Sequence, residues 1–489
     1  MNEIYLSKSL FIKGIQCHKS LYLHKYHPEW KDPVPPSREE LFESGSEVGI
    51  IAQRLFPGGI NIPYEPDDYD KQIKLTQEAI RGGIYTIYEA AFKSNGVFVK
   101  TDILHKEKDG WAIYEVKSST SLKDIYMPDA AIQYYAVKGS GLPVSRVCVI
   151  HINNQYIRQG DIEPHKLFTV NDITCEVLGM QDKIEEELER QKNMLLGDIP
   201  DKDIGRHCQD PYDCEFIGYC WSHIPEDSVF ILKGNRTLSY ELYSKGIINL
   251  RDIPESMVSG DIMFQVEAFL EKKIHISKES IRDFLDTMRY PLYFLDFETL
   301  SSPIPPFDGT APYQHIPFQY SLHIIENEGS EPVHHEYIAE PGTDPRRELT
   351  ERLLSEIPEN ACVIAYVANF EKNRLKDLAE YLSEHRRKIE NIIANTIDLA
   401  IPFKKRYFYH WKQNGSYSLK AVLPLIVPEL TYENLEIRDG NMAMKAYKMM
   451  HETSDPEEIN LIRHALLEYC RLDTLAMVKI VERLKEMVR

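Results

Sequence analysis

The sequence predicts an α/β chain of two domains joined by a helical connector, and three observations predict it. Residues from about Arg38 to Ile152 read as a helix, three strands, a helix and a further strand. The stretch from about Glu226 to Met288 is mostly helical in pattern, with breaks at Gly246 and Pro254. From Tyr290 the strand pattern returns and closes in a long amphipathic helix. Domain boundaries follow at 1–224, 225–288 and 289–489, and a chain of 489 residues is long enough for more than one core.

In the first block the apolar spacing from Arg38 to Phe56 suits a helix, stopped by Pro57-Gly58-Gly59. Ile84 to Phe92, Val97 to Leu104 and Trp111 to Val116 read as strands, the last two parted by the turn Lys108-Asp109-Gly110. A helix from about Asp129 to Lys138 and a strand from Arg146 to Ile152 complete it. In the last block Pro291 to Phe297, Phe318 to Ile325 and His334 to Ile338 read as strands, and a helix starts at Arg346. The apolar segment Cys362 to Val367 and a helix from Phe370 follow. The final helix starts near Pro456, with Leu461, Leu467, Leu475 and Val478 among its apolar residues.

Hydrophobic residues at 43% and charged residues at 27% exclude a wholly disordered or fibrous chain. Met1 to Gln16 has no apolar core of signal-peptide length, and no apolar run approaches the roughly 20 residues of a membrane-spanning helix. The expectation is a cytoplasmic chain with no membrane partner. A net charge of -19 argues against broad adhesion to nucleic acid, though a local basic groove can coexist with clustered acids.

Asp102 lies in a strand-like segment, and Glu115-Val116-Lys117 ends the next one. Residues two apart on a strand share a face, so Glu115 and Lys117 share one side, which also receives Asp102. Two carboxylates can hold a divalent cation while a lysine positions or deprotonates water, the chemistry that phosphodiester hydrolysis needs. With this order of elements, Thr101-Asp102-Ile103, Glu115-Val116-Lys117 and Gln133-Tyr134-Tyr135 make the stretch from about Phe42 to Ile152 resemble the RecB-like branch of the PD-(D/E)XK nucleases. The resemblance implies a restriction-endonuclease-like domain in which Asp102 and Glu115 bind Mg2+ or Mn2+, Lys117 is the catalytic lysine and Gln133 an accessory residue. Where that branch usually has a histidine on its first helix, this chain offers Glu47 as a further metal ligand, and Val137 replaces a frequent tyrosine.

Of eight cysteines, Cys148, Cys175, Cys362 and Cys470 sit in apolar or helical contexts and read as core residues. Cys208, Cys214 and Cys220 have five residues between neighbours, and Cys17 lies far upstream. Four thiolates converging from both ends suit a 4Fe-4S cluster or an all-thiolate Zn2+ site, either of which fastens the domain's termini together. His18, His207 and His223 keep zinc open. The RecB-like resemblance implies the iron-sulfur cluster, one cysteine before the nuclease core and three after it.

Asp296 and Glu298, two apart in an apolar strand, point to one face. At about 4 Å their repulsion is about 4 kcal/mol at an effective dielectric of about 20, so a divalent cation is the natural partner. Tyr469 and Asp473, four apart, share a face of the last helix. Together they resemble the DEDD exonucleases of the ribonuclease-H-like fold, in the Tyr-x-x-x-Asp subgroup, over about Tyr290 to Arg489. The resemblance implies Asp296, Glu298 and Asp473 as metal ligands and Tyr469 as the residue orienting water. Glu371 stands where that family has an aspartate, and Val367 where it has an asparagine. With Ile316 to Ser321 and Gly415 to Lys420, the block also resembles an uncharacterised domain that recurs behind RecB-like nucleases in prokaryotes. Asp398 reads equally as a neighbour of the site or a helix cap, and Phe403 to Lys412 as a base-stacking surface or a solvated loop.

The combined expectation is a metal-dependent nuclease acting on DNA in preference to RNA, with a 3'-5' exonuclease-like C-terminal domain. The alternatives are a catalytically impaired nucleic-acid-binding scaffold and an RNA-processing exonuclease.

Overall fold

Runs of β-branched and aromatic residues build two main sheets, each in its own unit of the chain. The computed structural model describes residues 5–34, 36–66 and 68–489, so the start of the stretch Met1 to Gln16 lies outside the described residues. One unit comprises Met1–His223 with Ser302–Tyr313, and the other Ile224–Ser301 with Gln314–Arg489. Both are mixed α/β, and no helix among the described residues is long and apolar enough to cross a membrane.

The first unit's sheet holds β1 (Leu6–Ser7), β2 (Ile60–Asn61), β3 (Thr86–Ser94), β4 (Val97–Lys106), β5 (Trp111–Lys117), β6 (Val144–Ile152) and β7 (Phe168–Asp172). Their order is β2-β3-β4-β5-β6-β7, with β1 beside β4. Strands β3, β4 and β5 are antiparallel neighbours. The first hairpin turns on Asn95 and Gly96, whose φ of 50° and 76° are the pair of left-handed conformations that a two-residue type I′ turn demands. β6 runs parallel to β5, so the chain needs a crossover, and the helix Tyr126–Gly139 supplies it. Trp111 and Ile113 pack under this helix, whereas Ala112 and Tyr114 meet Val48 and Ala52 of the helix Pro36–Gln53 on the other face.

In the second unit β8 (Ile274–Ile276) precedes β9 (Leu292–Leu300), β10 (Ile316–Ile325), β11 (Val333–Ile338), β12 (Cys362–Ala365), β13 (Thr396–Asp398) and β14 (Phe408–His410). The central sheet has the order β11-β10-β9-β12-β13, in which β10 is antiparallel to both neighbours while β9, β12 and β13 are parallel. Tyr293, Leu295 and Phe297 bury one face of β9 against residues such as Leu349, Leu375 and Ile389. On the other face Leu292 and Phe294 meet Met477, Ile480 and Leu484 of the last helix, Pro456–Val488.

The stretch 225–288, expected as a connector, belongs with the second unit. β8 pairs with β14, and Ile281, Phe284 and Leu285 of the helix Lys278–Leu285 enter the same core as the last helix. Helical periodicity alone cannot tell a solvated linker from a helix whose apolar stripe is covered by distant residues.

Candidate functional site

The first centre forms where β5 ends. Glu115 and Lys117 project toward the helix Tyr126–Gly139, which supplies Asp129 and Gln133 one turn apart. Glu115 is buried and its oxygens are occupied: Lys117 Nζ lies 2.6 Å and Lys8 Nζ 3.1 Å from Oε1, and Gln133 Nε2 donates to Oε2 at 2.5 Å. Lys117 also reaches Asp129 Oδ2 at 2.5 Å, and Lys8 reaches Asp129 Oδ1 at 3.3 Å. On β4, Asp102 accepts the Val116 N–H at 2.6 Å, just beyond the last β4–β5 pair, Ile103 with Tyr114.

Burial pushes the Asp102 carboxyl up to about 7, and the neighbouring Glu115 adds to it. Burial acts the same way on Glu115, but Lys117 and Lys8 overcome it and hold that carboxyl well below the usual range. Gln133 Oε1 is buried with no hydrogen-bond partner. Asp102, Glu115, Lys117 and Gln133 are thus brought together as the sequence implies. Glu47 is exposed, on a helix that packs through Val48 and Ala52 against the sheet face opposite Glu115. Sequence reasoning missed Lys8 and Asp129. Lys8 is 107 residues from Glu115 and carries no local signal, whereas Asp129 stands one turn before Gln133 on an expected helix.

Cys17, Cys208, Cys214 and Cys220 line one small cavity, together with His207. Burial pushes the Cys220 thiol up to about 11, and the other three thiols add to the effect. His207 Nε2 is 3.9 Å from Cys208 Sγ, while His18 is held by Glu187 at 2.7 Å. The two chain segments are tied by Gln16, which donates to the carbonyls of His207 and Tyr212 at 2.8 and 2.7 Å, and by Lys13 with Glu215 at 2.9 Å.

The second centre lies between β9 and the last helix. One ligand atom each of Asp296, Glu298 and Cys470 falls within 4.8 Å of the others. Cys470, expected as a plain core residue, is buried and donates to Asp296 Oδ2 at 3.6 Å. Asp473 accepts the Tyr432 hydroxyl, and Lys420 Nζ is 3.4 Å from the Tyr469 hydroxyl. Glu371, in the first turn of the helix Asn369–Tyr381, is buried and its Oε2 has no hydrogen-bond partner. Val367 enters that helix at φ 56°, a conformation costly for a β-branched residue.

Burial lifts all four carboxyls. Asp296 and Glu298 stand well above the ordinary carboxylate range, each pushed further by Asp473. Glu371 rises to about 8, with Asp398 adding to burial. Asp473 rises only to about 6, because Tyr432, Lys420 and Tyr469 oppose its burial. Asp398 also accepts the Ala400 N–H at 3.0 Å, so it caps a turn and lies near the site as well.

Behind the acids, Ser321 pairs in register with Asp296 and its hydroxyl is 2.7 Å from that of Thr474. His323 Nδ1 is 2.8 Å from the same Thr474 oxygen, and His334 Nε2 is 2.9 Å from Ser321 Oγ. This polar row fixes the last helix over β10, next to Asp473. The sequence held signals for two residues it left without a role, Lys420 and Cys470, both inside the motifs quoted above. In the stretch Phe403 to Lys412 the structure buries Phe403, Phe408 and Tyr409 and leaves Lys404, Lys405 and Lys412 exposed. Those three rings are core anchors, unable to stack on bases.

Comparison with known proteins gives likeness without a function. A family described as "Domain of unknown function (DUF2779)" matches residues 293–418, which include Asp296, Glu298 and Glu371. An uncharacterized protein of Mycoplasma genitalium, MG366, is 26% identical over 263 residues, 47% of this chain and 37% of that protein. Its homolog in Mycoplasma pneumoniae is 25% identical, covering 51% of this chain and 40% of that one. The uncharacterized protein UU173 of Ureaplasma parvum is 27% identical, with shares of 45% and 35%. The chain therefore spans well under half the length of these curated relatives.

Proposed function

We propose that this chain is a divalent-cation-dependent nuclease with two centres, one in a restriction-endonuclease-like unit and one in a ribonuclease-H-like unit. The observation that carries the reading is the convergence of Asp296, Glu298, Glu371 and Asp473, all lifted by burial, with Glu371 Oε2 left unpartnered. Lys420 opposes the shifts of Glu298 and Asp473, while Arg374, beside Glu371, is engaged by Asp377 at 3.1 Å. A donor set dominated by carboxylate oxygens, with the Cys470 thiol beside it, suits Mg2+ or Mn2+ once the acids are ionised. A divalent cation bound by these acids supplies an activated water and charge stabilisation at the leaving oxygen of a phosphodiester. Tyr469, steadied by Lys420, orients the attacking water, and Lys420 draws the phosphate toward the acids. The strand order, with β10 alone reversed, supports the ribonuclease-H-like reading of this unit.

In the first unit the helix, meander, helix, strand order supports the PD-(D/E)XK reading. Asp102 and Glu115 would hold the cation, Lys117, kept charged by Glu115 and Asp129, positions water, and Gln133 holds Glu115 in place. The four thiols would hold a 4Fe-4S cluster, with zinc as the alternative, since cysteine sulfur is the donor both prefer. Labelled DNA and RNA, offered to the wild type, Asp296→Ala, Glu115→Ala and the combined variant, test the reading. Digestion stopped by EDTA and abolished in the combined variant, with DNA cut faster than RNA, is the expected result. Undiminished digestion by the combined variant overturns the assignment of both centres.

A further inference from the structure

We propose that Lys8 is a substrate-contacting residue of the first centre, and that the four-thiol cavity sets its position through one helix. This rests on the nuclease reading above. Lys8 opens the nine-residue helix Lys8–Gln16, and Cys17 is that helix's C-cap. At 1.5 Å per residue the helix is a rod of about 14 Å, with an ammonium at one end and a cluster thiol at the other.

The rod is tied to the segment bearing the other three cysteines. Lys13 pairs with Glu215, next to Cys214, and Gln16 donates to the carbonyls of His207 and Tyr212. Along its side, Gln191 Nε2 donates to the Phe11 carbonyl at 3.0 Å, in a space that Gly14 leaves open. A Cβ at Gly14 would lie 2.3 Å from Gln191 Cδ. Whatever orders the cysteine segment therefore also fixes where Lys8 stands.

The ammonium has a reason to be there beyond neutralising acids. Lys8 and Lys117 each touch both Glu115 and Asp129, two cations facing those acids and Asp102. A phosphodiester entering a site with Asp102, Glu115 and Asp129 is repelled by all three, and it needs a cation on the solvent side. The Lys8 side chain is 21% exposed, the same as Lys117, against 3% for Glu115, so both ammonium groups lie toward solvent from that acid. A lysine ammonium is a compact point charge with three donors, well suited to a phosphate oxygen.

Binding of a fluorescent single-stranded oligonucleotide to the full chain, with Ca2+ supplied as the cation, is measured against salt concentration. Lys8→Gln is expected to weaken binding several-fold and to lower the slope of log affinity against log salt by about 0.7, the loss of one phosphate contact on a single strand. Lys8→Arg keeps the slope. Cys220→Ser, checked for metal content, lowers the slope equally, and adding Lys8→Gln to it changes nothing further. If Lys8→Gln fails to fold, Gln16→Ala, which cuts the ties from this helix to the His207 and Tyr212 carbonyls and leaves Lys8 in the sequence, must lower the slope instead. An unchanged slope in a folded variant overturns the substrate contact, and additive losses overturn the link to the thiols. A wild type that neither binds nor digests the oligonucleotide overturns the nuclease reading itself.

Discussion

Replacing Glu371 by glutamine makes the metal-free protein more stable at pH 8. The carboxyl is lifted from 4.5 to about 8, chiefly by burial, so between those values the folded chain keeps a proton that the unfolded chain has released. Folding stability then falls as pH rises, because the folded state binds the extra proton. The effect is absent below about pH 4.5 and complete above about pH 8. At about 1.4 kcal/mol for each tenfold change in proton affinity, it reaches at most about 5 kcal/mol, on the order of 10 °C in Tm for a domain of this size. Glutamine keeps the shape and loses the charge, so its curve falls less steeply over that window, the remaining slope coming from the other lifted carboxyls, Asp102, Asp296, Glu298 and Asp473. Thermal melts from pH 5 to 9, in EDTA and in Mg2+, check this. In EDTA the wild type loses more Tm up to pH 8 than the variant does. Saturating Mg2+ restores the wild type at pH 8, by about 2.7 kcal/mol at a hundredfold excess over its dissociation constant. Parallel pH curves for the two proteins, or a wild-type Tm indifferent to Mg2+, refute the reasoning.

Thr474→Val removes the hydroxyl shared by Ser321 and His323, and denaturant unfolding should show a loss of about 1–3 kcal/mol, since buried partners are left unpaired. Protein purified without oxygen should be brown, absorbing near roughly 400 nm, and Cys220→Ser should bleach it. A colourless protein with stoichiometric zinc selects the other thiolate site.

The elements that sequence located were those with a strong local period. β3, β4, β5, β9 and β10 each carry a long apolar or alternating run, and their expected bounds fall within a few residues of the observed ones. The short strands β8, β13 and β14, three residues each, have too few positions to show a period and exist because distant partners pair with them. The candidate sites divide the same way. Glu115 with Lys117, Asp296 with Glu298, and Tyr469 with Asp473 are legible because strand or helix spacing puts each pair on one face. Lys8 and Tyr432 reach their acids across long stretches of chain, 107 residues for Lys8 and 41 for Tyr432, and nothing local marks them. The stretch Phe403 to Lys412 stayed open for the complementary reason: alternation of rings with cations suits a binding surface and an anchored loop alike, and only tertiary packing shows that Phe403 and Phe408 are covered.

The two centres differ in how they meet the cost of buried negative charge, and the difference predicts which one depends on a cation to fold. In the first, Lys8 and Lys117 together face Glu115, Asp129 and Asp102, and Glu115 is held ionised by them. In the second, Lys420 offsets Glu298 and Asp473 and Arg374 offsets Glu371, yet all four carboxyls are lifted, which keeps protons on them. A buried charge without a counter-charge either takes up a proton or destabilises the fold. The first centre therefore holds its shape with its own lysines, and a cation there has to displace an ammonium. Among the described residues Lys420 and Arg374 are too few to hold the second centre's acids ionised, so raising the pH in EDTA loads repulsion onto β9 and the last helix. Melting that separates into two transitions at pH 8 in EDTA, with the lower one abolished by Mg2+ and by Glu371→Gln, follows from that asymmetry.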